Sequence, residues 1–123
     1  MLFDMDSPGL TADCVSHDTI ASVMEVSDFF RSLCQRSDFR KELGAEILRI
    51  GTEVLSADRV NEYIDVYQSQ MAAPMKLQLA RYFNADETWF LASTEDTRVF
   101  FNNRLEAVRE ILKTHDMLPE SMS

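Results

Sequence analysis

Near the start of the chain, Leu2-Phe3-Asp4-Met5-Asp6 places two carboxylates two residues apart at the end of a short apolar piece, and Ser7-Pro8-Gly9 turns the chain straight after. A hard cation such as Mg²⁺ takes oxygen ligands at fixed positions, and a strand end is rigid enough to supply them. Asp4 and Asp6 are therefore the candidate metal ligands, set to hold Mg²⁺ against nucleotide phosphates. An Asp-x-Asp near a terminus is more often a solvated turn.

Other chemistry-bearing residues are scattered. His17 and His115 stand alone in sequence and read as exposed, helix-terminal histidines. No serine sits in a nucleophile-elbow sequence, and no Gly-rich phosphate loop is present. Cys14 and Cys34 are too few for a zinc site or a disulfide framework, and read as two reduced thiols.

The elements that would position these residues are helical. From Asp86 to His115 apolar residues recur at three- and four-residue steps through Trp89, Phe100, Val108 and Ile111, which predicts one long helix, with a break near Ser93 as the competing reading. Trp89 and Phe100 are expected as its core anchors, and Arg104 as a partner for a carboxylate or a helix C-terminus. Upstream, a first helix begins after Ser16 or Asp18 and ends near Gln35. A second runs from Ser37 through Phe39, Leu43, Ile47 and Val54, with Gly44 and Gly51 tolerated for close packing. A third starts at Ser56 and is stopped or kinked at Pro74, and a short fourth resumes from Met75. The short turn near Ser56 makes the second and third helices antiparallel neighbours.

The fold class is thus mainly α. We expect a compact bundle of four to five helices in a single domain: an extended or loop segment over 1–16, the bundle over 17–116 and a frayed tail over 117–123. Three Gly and three Pro leave little material for the turns of a sandwich or barrel. The formal charge of −9 argues against nucleic acid, which needs clustered Lys and Arg. No apolar run approaches a membrane span, and the start lacks a signal-peptide pattern, so a soluble, cytoplasmic chain is expected.

The order of features resembles the C-terminal part of the CotH family, atypical protein kinases first known from bacterial spore coats. The likeness is carried by Phe3-Asp4-Met5-Asp6, by Phe30-Arg31-Ser32-Leu33 through Asp38-Phe39-Arg40, and by Ser56-Ala57-Asp58-Arg59-Val60 running to Ile64-Asp65. Pro74-Met75, Arg81-Tyr82, Trp89, Phe100 and Arg104 continue it. Trp is commoner in the family where Tyr82 stands, and Pro where Leu105 stands. The resemblance implies that Asp4 or Asp6 is the Mg²⁺-binding aspartate, that Phe39, Trp89, Phe100 and Arg104 are structural, and that the helices form the scaffold of a kinase-like C-terminal lobe.

Such enzymes move the γ-phosphoryl group of ATP to a protein hydroxyl, which needs a phosphate-gripping Lys and a catalytic base besides the metal. Those elements would lie upstream of Met1. The chain would then be inactive by itself, with ATP and Mg²⁺ bound only when completed by the missing kinase portion, its partners being that portion or a protein substrate. The alternative is a small acidic helical module that docks a partner helix or self-associates. A free-standing enzyme using Asp4 and Asp6 is the third reading.

Overall fold

The computed structural model describes residues 11–84 and 87–119. Within them the chain is mainly α, with helices α1 (Thr19–Val26), α2 (Asp28–Leu33), α3 (Ser37–Arg49), α4 (Ala57–Tyr82) and α5 (Glu87–Thr114). A 3-10 turn, Ala12–Cys14, precedes α1, and a π-helical turn, Ile50–Val54, follows α3. The described residues divide into two compact units. One comprises 11–15, α4 and residues 87–102; the other comprises 16–56 and 103–119.

The second unit holds a closed core. Leu112 and Met117 are fully buried, with Cys34 and Leu48 beside them and Ile20, Phe30, Phe39 and Leu105 packed against the cluster. The stretch from Asp18 to Cys34, expected as one helix, is two. Ser27 interrupts it because its hydroxyl accepts the Phe30 amide and starts α2, while Arg31 reaches back to the Met24 and Glu25 carbonyls at the end of α1. Each new helix end thereby finds its hydrogen bonds. Arg40 repeats the device for α2, donating to the Cys34 and Gln35 carbonyls. The second expected helix also changes character. From Ile50 it widens to a π turn, closed by the Leu55 amide on the Ile50 carbonyl at 2.7 Å.

The end of α5 is locked. Asp116 takes a positive φ of 54°, the Asp116 amide bonds the Lys113 carbonyl and the Met117 amide bonds that of Leu112, the Schellman pattern. Its usual hydrophobic contact follows, since the two residues it joins, Leu112 and Met117, are both fully buried. Glycine commonly stands at the positive-φ position. Here the Asp116 carboxylate is instead gripped by Arg40 and Lys41, each at 3.0 Å. A tail frayed from residue 117 is therefore corrected: Met117 is an anchor. Its carbonyl lies so close to Gly44 that a Cβ there would overlap it, which is why α3 carries a glycine at this point.

The first unit is a helix pair. Asn61 bonds Asn102, Asp65 pairs with Arg98 at 2.8 Å, Gln68 bonds Thr94 and Lys76 pairs with Glu87. Residue numbers climb on α4 as they fall on α5, so the two run antiparallel. α5 is unbroken past Ser93, the Thr94 and Thr97 hydroxyls folding back onto the Leu91 and Ser93 carbonyls. Pro74, expected to stop or kink the chain, lies inside α4. The lost hydrogen bond and ring clash cost about 3 kcal/mol, and the helix is held on both sides of the proline by buried residues, Ile64 before it and Leu79 after.

Candidate interaction surface

Asp4 and Asp6, the sequence-level metal ligands, lie outside the described residues. Among the described residues no group of three or more His, Cys, Asp or Glu side chains could hold a metal ion, and no helix is long and apolar enough to cross a membrane.

The four residues expected to be structural separate. Phe39 is half-buried and meets Phe30 edge to face, with ring centroids 6.3 Å apart. Phe100 is buried. Trp89 is not the core anchor expected of it: 63% of its surface is exposed. Phe90 and Phe100 are the buried aromatics of α5 in this unit, whereas Trp89, beside Phe90 in sequence, stays largely in solvent. Arg104 donates to the His17 carbonyl at 2.9 Å and to the Thr19 hydroxyl, so these bonds run to the entry of α1 and not to a helix C-terminus.

That entry also gathers residues which stand far apart in sequence. Asp18 caps α1 by accepting the Ala21 amide at 2.9 Å, and its other oxygen meets His115 Nε2 at 2.7 Å. Burial opposes the charged Asp18 carboxylate, but the Ala21 amide and His115 outweigh it and hold its pKa below the usual carboxylate range. His115, read as an exposed terminal histidine, is instead largely buried, with 17% of its side chain accessible. Only the capping potential of Asp18 was visible in the sequence; its partner lies 97 positions away.

Concavities occur in this unit. An apolar groove of about 220 Å³ runs between Ile20, Val23, Leu43, Ile47 and Val108, with Arg104 at its margin. A wider hollow of about 430 Å³ sets Lys41, Arg109 and Lys113 among Glu106, Glu110 and Asp116. Its charges alternate in sign, and Lys41 is already paired with Asp116, so it has no surplus charge with which to select an ion.

An exposed apolar stripe lies along α4. Tyr63, Val66, Tyr67 and Leu77 are 67%, 47%, 47% and 75% exposed. Their three-, four- and ten-residue steps put them on one side of the helix, away from buried Ile64 and Leu79. Gln70 and Pro74 lie on the same stripe. Tyr67 rests part of its ring against Phe90, at 5.5 Å between centroids, which steadies it without covering it. In the sequence Pro74 was marked only as a stop or kink, and a single 3.6-residue period cannot say which of two apolar sides of a helix faces inward.

No family model matches this sequence, and neither the curated proteins nor the solved structures contain a match to it.

Proposed function

We propose that this chain is a small acidic helical module that works by docking a protein partner on the outer face of α4. The observation that carries the reading is the exposure of Tyr63, Val66, Tyr67 and Leu77 at helical spacing, because large apolar side chains grouped on one exposed helix face are the usual anchors of helix-in-groove or helix-on-helix recognition. The test is quantitative co-purification from the source cell with the wild-type chain and with Tyr67→Ser/Leu77→Ser. Leu77 is largely exposed and Tyr67 gives up only its ring contact with Phe90, so the variant should stay folded with at most a modest fall in thermal midpoint. A specific partner enriched on the wild type and lost at least tenfold on the variant is the expected result; an identical set on both would end the reading.

The kinase-fragment reading is proposed second, since an exposed apolar surface is also what a missing lobe would leave uncovered. In it the docked partner is the remainder of a CotH-like kinase, which would supply the phosphate-gripping lysine and catalytic base, and Asp4 and Asp6 would hold Mg²⁺ and ATP in the completed enzyme. Calorimetry of Mg²⁺-dependent ATP binding, run beside Asp4→Asn/Asp6→Asn, tests it. Binding lost in the variant supports it, and no binding even after addition of the completing portion removes it.

A further inference from the structure

Helix α4 is polarised in charge. Its N-terminal half carries Asp58, Glu62 and Asp65 against Arg59, and its C-terminal half carries Lys76 and Arg81 with no carboxylate. Asp65 is paired with Arg98 and Lys76 with Glu87 on α5, whereas among the described residues neither Glu62 nor Arg81 forms an ion pair. Both are exposed and border the stripe of Tyr63, Val66 and Leu77. Arg81 rests over the Tyr82 ring, 5.2 Å from its centre, a face contact that occupies none of its N–H donors. These two charges are opposite in sign and stand about 28 Å apart along the axis, one at each end of the apolar stripe.

Resting on the docking reading above, we infer that the occupant is a second copy of this chain, its α4 laid antiparallel along the first so that Glu62 of each copy meets the partner's Arg81. A two-fold axis repeats every contact, and the ion pairs close both ends of the stripe. In that register Val66 comes opposite the partner's Leu77, Tyr63 opposite the partner's Ala80 and Gln70 opposite the partner's Ala73, all of them exposed in the single chain. Tyr63 and Gln70 thus face alanines, which lets the two helices approach closely. A parallel pairing is disfavoured, because it sets Glu62 against Glu62 and Arg81 against Arg81. The stripe therefore supplies both halves of its own contact. The net charge of −9 on each copy opposes association only at long range: α4 itself carries three acidic and three basic residues, and charges beyond about 8 Å are screened at physiological salt.

The test is sedimentation equilibrium of the full chain over a concentration series, beside Glu62→Arg, Arg81→Glu and the double exchange Glu62→Arg/Arg81→Glu. We expect a reversible dimer whose dissociation constant rises about tenfold in either single variant, since each turns both symmetry-related contacts repulsive, and returns to within about threefold of wild type in the double exchange. That rescue separates lost pairing from lost folding. Single variants that dimerise like the wild type would overturn the antiparallel register. A dimer that survives Tyr67→Ser/Leu77→Ser would overturn the inference as well, because its contact would lie on another face. A wild-type chain that stays monomeric would overturn the second copy, and the co-purification described above then tells whether docking stands with a foreign partner or falls too.

Discussion

The two units use similar numbers of helical turns to opposite ends. In the unit built from α1, α2, α3 and the end of α5, several short elements converge, and Leu112 and Met117 lose all contact with solvent. In the unit built from α4 and the first part of α5, two long helices pair along one side each, burying Ile64, Leu79, Phe90 and Phe100 and leaving Tyr63, Leu77, Tyr82, Phe83 and Trp89 at 63% exposure or more. A pair of helices has only one mutual face, whereas converging short helices enclose a volume. Breaking the chain at Ser27 and locking it at Asp116 makes that enclosure possible in one unit; length without breaks leaves the other with apolar surface to spare.

The sharpest test of this contrast is Leu112→Ala. Emptying a fully enclosed leucine site costs about 2–5 kcal/mol, so the urea midpoint should fall by a large step. Gly44→Ala comes next: the added methyl must displace the Met117 backbone, and overpacking of this kind costs about 1–3 kcal/mol, read in the same melts. A smaller effect is expected from acid. Because the folded Asp18 pKa lies below its unfolded value, its contribution is complete above the ordinary carboxylate range and is lost as pH falls through the folded value. Asp18→Asn keeps a capping side chain but not the charge, so it should lose less stability than the wild type between about pH 6 and about pH 3. Trp89→Ala is the smallest, within about 0.5 kcal/mol, as for other exposed positions. A loss of several kcal/mol at Trp89 would mean that the helix-pair unit hides a core, and the contrast would collapse.

The helical class was legible because the three- and four-residue steps are strong through Phe39, Leu43 and Ile47 and again through Val108 and Ile111. The long α5 was legible for the same reason, while the polar turn after Ser93 left a break there as the competing reading. The Ser27 break was not, since the apolar residues continue across it and a single serine is read as tolerated until its hydroxyl is seen on the Phe30 amide. Trp89 shows a different limit. Its size suggested a core role, but periodicity gives the spacing of a stripe and not which neighbour covers it. The Asp18–His115 and Arg40–Asp116 pairs join positions 97 and 76 residues apart, and no local pattern marks either. Asp4 and Asp6 are the reverse case: visible in the sequence as a chemical pattern and outside the described residues.

The two cysteines give the contrast between the units a kinetic form. Cys14 belongs to the helix-pair unit and is half-buried, while Cys34 sits in the closed core, where burial pushes its thiol pKa up. Only a thiolate reacts with an alkylating or disulfide reagent, and a buried one must first be uncovered. Modification of Cys34 in the native protein therefore runs at the frequency with which the core opens, with Cys14 in the same molecule reporting the rate of a more accessible thiol. Without any engineered probe, the chain records in its pattern of labelled sulfur how often its most protected residues meet water.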